Sequence, residues 1–123
     1  MTRTERAISV PGMPFHRTRI VEHLAREILR SKGFTVLRSI DTCSLINLIA
    51  WAPGRGLFLI RVTTTRRTLS GAAEVTALWK DEIDILRAMP VPSGGSVILW
   101  IYTDRKAWHR YQVLPGGLVE MDL

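Results

Sequence analysis

A short stretch in the middle of the chain groups side chains that could hold a phosphate. Residues 63–70 read Thr-Thr-Thr-Arg-Arg-Thr-Leu-Ser, and an arginine precedes them inside an apolar run. Hydroxyl and guanidinium groups are frequent donors to phosphate oxygens in nucleic-acid complexes, and the planar guanidinium can bind a phosphate in a bidentate manner. The pattern predicts a phosphate-binding edge formed by Arg61, Thr63, Thr65, Arg66 and Arg67.

The charge of the chain also favours a polyanionic partner. Seventeen Lys and Arg against eleven Asp and Glu give a net charge of +6. Residues 1–67 contain twelve cations and four anions (net +8), whereas residues 68–123 contain five cations and seven anions (net −2). Such an excess attracts polyanions but does not specify a fold. Fourteen of the cations are Arg, which suits phosphate recognition but can also follow from genomic base composition.

Several other kinds of site are excluded by composition. Cys43 is the single cysteine, so neither an intramolecular disulfide nor a multi-cysteine zinc site can form, and a reducing, cytoplasmic location is expected. His16, His23 and His109 lack the spacing of metal ligands. No apolar run approaches the ~18 residues of a membrane span, and the N-terminus has no apolar signal segment. We therefore expect no membrane association.

The length of 123 residues fits one domain. Residues 1–16 contain Arg3 and Arg6, followed by Pro11, Gly12 and Pro14. Proline and glycine at this density indicate a turn. We predict a basic N-terminal arm over residues 1–16 and a single domain over residues 17–123.

Apolar side chains at helical spacing predict a first helix from about Arg17 to Lys32, ended by Gly33. Its apolar stripe comprises Ile20, Val21, Leu24, Ala25, Ile28 and Leu29. The opposite face is basic, with Arg19, His23, Arg26 and Arg30. A basic helical face is typically solvated, and contact with nucleic acid is the alternative.

Strands and a second helix complete the predicted domain. Strands are predicted over 34–39, 45–51, 57–64, 96–102 and 108–113, with a short last strand near 118–121 and a helix from Ser70 to about Met89. This order predicts an α/β or α+β domain whose sheet has helices on its faces. Trp79 and Trp100 lie in apolar patterns and are expected in the core, whereas Trp108 and Tyr111 are the candidates for stacking on bases.

The order of elements resembles the αβββαβ core of the restriction-endonuclease-like, or PD-(D/E)xK, nuclease superfamily, and within it the archaeal Holliday junction resolvases. The likeness runs from about Arg17 to Glu74. The segments that carry it are Glu22 to Phe34 (EHLAREILRSKGF), Val36 to Ser39 (VLRS), Asn47 to Ala50 (NLIA) and Leu59 to Thr64 (LIRVTT). The resemblance implies an α/β fold with a central mixed sheet flanked by helices and extra C-terminal strands.

In that family a helix glutamate, a strand aspartate and a Glu-x-Lys triplet form a metal-dependent nuclease site. A divalent metal stabilises developing charge and supplies hydroxide, and Mg²⁺ prefers carboxylate oxygens. By resemblance, Glu22 matches the helix glutamate, but Asn47 stands at the aspartate, Arg61 at the glutamate and Thr63 at the lysine. An Arg at a metal-ligand position repels the cation, so we expect no intact catalytic set and no metal. Asp41 is the alternative source of a carboxylate.

The resemblance implies that Arg61 pairs with Glu22, the retained acid, as a remnant of the metal site. The alternative is that Arg61 contributes to the phosphate-binding edge. Either way, we predict that nucleic acid, with DNA favoured, contacts residues at this side of the fold. The predicted contacts are Arg3, Arg6, Arg17, Arg19, Arg38, Ser39, Thr65, Arg66 and Arg67.

Three functions therefore remain. The first is a catalytically inactive nuclease-fold protein that binds nucleic acid without a cofactor. The second is a Mg²⁺-dependent, structure-selective endonuclease with a rearranged site. The third is a protein-interaction module, and the resemblance to resolvases implies a homodimer.

Overall fold

The computed structural model describes residues 15–39, 45–104 and 107–123. Its helices are α1 (Phe15–Ser31), α2 (Ala72–Leu78) and α3 (Lys80–Ala88). Its strands are β1 (Thr35–Arg38), β2 (Leu48–Ala52), β3 (Gly56–Thr65), β4 (Gly95–Thr103), β5 (Trp108–Leu114) and β6 (Gly117–Glu120). The predicted α/β class, with a mixed sheet flanked by helices and extra C-terminal strands, is confirmed.

The six strands lie in the sheet in the same order as in the sequence. Neighbouring strands are antiparallel except for β3 and β4, which are parallel. The parallel pair requires a crossover, and α2 and α3 supply it. The strands β1, β3 and β4 therefore run in the same direction. The side of the sheet at which these three strands end is called its carboxyl end.

The helix α1 packs on β1, β2 and β3 through one apolar stripe. Val21, Ala25 and Leu29 are buried in this contact, as the helical spacing predicts. The prediction was wrong for Ile20 and Leu24, which are 57% and 38% exposed. The four-residue edge strand β1 is too narrow to cover the whole stripe, so its outer members remain in solvent.

The opposite face of the sheet is covered by α2 and α3, which pack on β5 and β6. Val75, Ile83 and Leu86 are buried there. The prediction of one continuous helix was wrong, because the backbone at Trp79 (φ −114°, ψ 31°) leaves the helical region and separates α2 from α3. Ser70 is not the N-cap either: Gly71 occupies that place.

The aromatic predictions are confirmed in part. Trp100 is fully buried as expected, and Trp79 packs at the margin of the second core cluster. Tyr111, which was expected at the surface, is fully buried because alternation along β5 directs it beneath α2 and α3. In the described part of the chain, no helix is long and apolar enough to cross a membrane.

Candidate nucleic-acid interface

Several of the predicted phosphate contacts, among the residues that the structure describes, lie toward the carboxyl end of the sheet. A tight turn at Gly33 reverses the chain between α1 and β1, with the N–H of Phe34 bonded to the carbonyl of Leu29. The first half of α1 therefore lies beside the end of β1, where Arg38 is located. Because β1 and β3 run in the same direction, Arg66 and Arg67, which follow β3, leave the sheet at this end too.

A surface pocket of about 280 Å³ opens between α1 and β1 at this end. Three of its side chains are guanidinium groups, namely Arg19, Arg26 and Arg38. Ile20, Glu22 and His23 complete the lining. We call these six residues the arginine pocket. Three cations against one carboxylate make it an electropositive concavity, which is the form that an anion-binding site requires.

Hydrogen bonds inside the arginine pocket hold two of its cationic side chains, Arg38 and Arg26, in position. The Nε of Arg38 donates to Oε1 of Glu22 at 2.5 Å, and Nη2 of Arg26 lies 3.2 Å from Nδ1 of His23. The Glu22 side chain is only 10% exposed, whereas that of Arg38 is 42% exposed. A guanidinium has five N–H donors, and the bond to Glu22 uses the one at Nε of Arg38. Glu22 thereby holds an exposed guanidinium in position at the mouth of the pocket.

Arg61 contacts a different acid from the one expected. Its Nε donates to Oε1 of Glu82 on α3 at 3.1 Å, and its side chain is 11% exposed. The predicted pair with Glu22 is wrong, because alternation along β3 turns Arg61 toward α3 while its neighbours Ile60 and Val62 face α1. Arg61 is therefore the buried end of a partly buried ion pair, in agreement with the structural interpretation, but on the face opposite Glu22.

The side chain of Asn47 is hydrogen-bonded to the backbone of β3. Its Oδ1 accepts from the N–H of Val62 at 2.7 Å, and its own N–H donates to the carbonyl of Ile60 at 2.8 Å. The side chain thus takes the place of a main-chain carbonyl just before β2 begins. Thr63, the remaining family position, is buried.

The four positions matched to the nuclease family do not form a carboxylate cluster. Within residues 15–39, 45–104 and 107–123, no three His, Cys, Asp or Glu side chains come together as a group able to hold a metal ion. Asp41 lies outside the described residues.

The threonines after Arg61 are mostly enclosed. Thr63, Thr64 and Thr65 are all buried, so a phosphate would not reach their side chains directly. Thr65 instead accepts the N–H of Arg67 at its Oγ1 at 3.1 Å. This bond shapes the chain just after β3, where Arg66 and Arg67 are both exposed.

The remaining residues predicted to contact nucleic acid lie on α1, after β1, or outside the described residues. Arg19 is exposed on α1, and the N–H of Ser39 donates to the carbonyl of Asn47 at 2.8 Å. Arg17 lies on α1, but its side chain is outside the described part. Arg3 and Arg6 fall outside the described residues altogether.

Sequence reasoning omitted two residues of the pocket from its set of contacts. Arg26 and His23 were assigned to the basic face of the first helix without a binding role. The available signal was their spacing, since residues 19, 23 and 26 follow one another at intervals of four and three and share a helical face.

The chain is similar to Hjc, a Holliday junction resolvase from the archaeal hyperthermophile Archaeoglobus fulgidus. The TM-score is 0.49 at 18% sequence identity, over 75% of this chain and 72% of that one. No protein-family model matches the chain, and no curated protein matches its sequence.

Proposed function

We propose that this protein binds nucleic acid, with DNA as the first candidate, across the carboxyl end of its sheet, and that it does not cut the strand. The observation that supports this most directly is that the arginine pocket and the exposed Arg66 and Arg67 lie toward the same end of the sheet. These residues place five guanidinium groups on α1, on β1 and after β3 at one end of the fold.

The expected binding mode is contact with the phosphate backbone. Each phosphate that a cation neutralises releases condensed counterions, so the logarithm of the association constant falls with that of salt by about 0.9 per contact on duplex DNA. Three to five contacts would lower the affinity by about 40- to 500-fold between 50 and 200 mM salt, on the same slope. Such contacts carry no base preference, so recognition should tolerate changes in sequence.

The absence of cutting is inferred from charge. A nuclease metal would have to lie near the position of Arg61, whose guanidinium opposes a cation and is already held by Glu82. Asn47 offers one neutral oxygen, and that oxygen accepts the N–H of Val62. Neither residue is suited to hold Mg²⁺, which prefers carboxylates. No cofactor is therefore proposed.

Fluorescence anisotropy with a labelled four-way junction, a duplex and a single strand tests the binding. The expected result is binding at 50 mM salt that weakens steeply by 200 mM, with little dependence on base sequence. Arg30→Gln is a matched control, because Arg30 lies near the other end of α1 and pairs with Glu27 in solvent. Affinity that does not change with salt would contradict the proposal.

A cleavage assay separates this proposal from the endonuclease alternative. The same substrates are incubated with excess protein and millimolar Mg²⁺ or Mn²⁺. We expect no nicked product after prolonged incubation. Metal-dependent nicking that Glu22→Gln abolishes would establish the endonuclease instead.

One observation favours a protein contact in addition to nucleic acid. Leu37 and Trp51 are 54% and 38% exposed, and both belong to the β1–β2 hairpin. We propose that this part of the sheet forms a homodimer contact. Sedimentation at several concentrations tests it, with Leu37→Ser/Trp51→Ser expected to shift the protein toward monomer. A monomer at all concentrations would reject the dimer without affecting the nucleic-acid proposal.

A further inference from the structure

A second cluster of aromatic and cationic side chains lies on β4 and β5. It is on the same face of the sheet as α1, which packs on β1, β2 and β3. The rings of Trp100 and Trp108 meet edge to face, with centroids 5.2 Å apart. Tyr102 packs on Trp108 with a centroid distance of 4.8 Å. The guanidinium of Arg110 lies 4.5 Å from the centroid of Trp100 and 6.0 Å from that of Trp108.

Two buried donors in this cluster have no acceptor. Nε1 of Trp100 and Nε of Arg110 are both inaccessible, and neither has a hydrogen-bond partner among the described residues. Buried donors are ordinarily satisfied, since leaving one unpaired costs about 1–3 kcal/mol. The pKa of Arg110 is lowered by burial, and the charge of Asp122 only partly offsets this effect. The cluster therefore contains a charged guanidinium without enough hydrogen-bond acceptors for its buried donors.

A pocket of about 280 Å³ adjoins the cluster. It is lined by Trp108, His109, Arg110, Glu120, Met121 and Asp122. An indole ring, a guanidinium donor and two carboxylate acceptors therefore surround one small volume. The two carboxylates disfavour an anion, and Arg110 disfavours a simple cation, so the lining suits a neutral, flat ligand with donors and acceptors on its edge.

This pocket lies at the same end of the sheet as the phosphate-binding residues. Trp108 is the register partner of Tyr102 on β4, and Tyr102 is the partner of Thr64 on β3. Arg66 and Arg67 follow Thr64 closely in the chain. Two strand spacings amount to about 10 Å, so one nucleic-acid strand could contact both places.

We propose that this pocket holds one unpaired nucleobase of a strand whose phosphates are bound by Arg66 and Arg67. The inference rests on the proposed function and specifies its substrate as nucleic acid with a single-stranded segment. The base would stack on the indole of Trp108, the mode by which single-strand binding proteins hold bases without strong sequence preference. Arg110 would donate to a base carbonyl or ring nitrogen, and Glu120 and Asp122 would accept from an amino or imino group.

A pair of matched oligonucleotides tests this proposal. One is a labelled single-stranded DNA of twelve mixed bases, and the other is an abasic strand with the same number of phosphates. We expect the normal strand to bind about tenfold more tightly, the order of effect that one stacked base produces. Trp108→Phe should keep that ratio, whereas Trp108→Ala should reduce it toward one.

A phosphate-side variant provides the control. Arg67→Gln should weaken both strands by the same factor and leave their ratio unchanged. Circular dichroism must show that Trp108→Ala is folded; if it is not, Glu120→Gln/Asp122→Asn replaces it, because both side chains are exposed. That variant should change the order of affinities among homopolymers of the four bases.

The outcomes separate the two proposals. Equal affinity for the normal and abasic strands would overturn the nucleobase site and leave phosphate binding intact. Binding of neither strand at low salt would overturn the proposed function itself. An unchanged normal-to-abasic ratio in folded Trp108→Ala would place the base elsewhere and overturn this site. If Trp108→Ala does not fold, an unchanged order of homopolymer affinities in the acidic double variant would overturn it.

Discussion

Two ion pairs, Glu22–Arg38 and Arg61–Glu82, differ in the access of their arginines to solvent. Glu22 and Arg38 join α1 to the edge strand β1, and the Arg38 side chain is 42% exposed. Arg61 and Glu82 join β3 to α3, and the Arg61 side chain is 11% exposed. The first pair opens into the arginine pocket, whereas the second lies within the sheet–helix contact.

The difference shows how the surroundings decide the role of an arginine. Water screens an exposed charge, so the exposed Arg38 can direct part of its guanidinium to an incoming phosphate while it stays bonded to Glu22, whose own side chain is 10% exposed. A buried ion cannot exchange partners without losing the energy that compensated its desolvation. Arg38 is therefore suited to binding, and Arg61 to holding α3 against the sheet.

The largest expected effect comes from breaking the ion pair between Arg61 and Glu82. Arg61→Met leaves Glu82 without its guanidinium partner and should lower the free energy of unfolding by about 1–3 kcal/mol, since Glu82 is 26% exposed and keeps part of its hydration. Urea denaturation measures this loss. The double variant Arg61→Met/Glu82→Leu should recover most of it, because an apolar pair replaces the ionic one. A single variant as stable as the parent would show that the pair contributes nothing.

The next effect concerns the cations after β3. Arg66→Gln/Arg67→Gln should reduce the affinity for duplex DNA by about 10- to 30-fold at low salt and make the salt slope shallower by about two, one for each lost contact. Stability should change little, since both residues are exposed. An unchanged slope would remove these two arginines from the interface.

A smaller loss of affinity is expected when the Glu22–Arg38 pair is changed. Arg38→Gln should weaken binding about fivefold and reduce the salt slope by about one, while the free energy of unfolding falls by about 1 kcal/mol, because the amide of Gln can still donate to the buried Glu22. Anisotropy titrations at several salt concentrations, together with urea denaturation, measure the two effects. If stability falls as far as in Arg61→Met, the distinction between the two pairs is wrong.

The smallest effect is a pH dependence at the start of α2. The N–H and hydroxyl of Ser70 donate to Glu74 and, with the nearby charge of Arg67, lower the pKa of that carboxyl. A lowered pKa stabilises the folded state above the usual value of 4.5, and the contribution is lost as the pH falls through the folded-state pKa. Urea midpoints of the parent and Glu74→Gln should differ at pH 7 and converge in acid.

The sequence predicted the layers of this fold well and the partners of its charged residues poorly. Apolar spacing located α1, and the order of strands followed from their apolar runs and turns. Alternation also sets the face of Arg61, but it does not say which helix covers that face. Sequence spacing could not select Glu82 over the neighbouring acids Asp81 and Asp84, because the choice depends on how α3 is rotated against the sheet.

The arginine pocket illustrates the same limit. Arg38 lies twelve residues beyond Arg26, and the two meet only because the turn at Gly33 folds β1 back along α1. Helical spacing alone relates Arg19, His23 and Arg26. The break at Trp79 was equally hidden, since the residues on both sides are good helix formers and the change is confined to the backbone of one residue.

The sequential order of the strands has a consequence for how the chain folds. The antiparallel pairs within β1–β3 and within β4–β6 each join neighbours in sequence, so each triplet can form through local contacts. The β3–β4 pair alone closes over a long crossover, which makes its entropic cost the largest of the sheet. We expect the seam between β3 and β4 to form late and to limit the rate of folding.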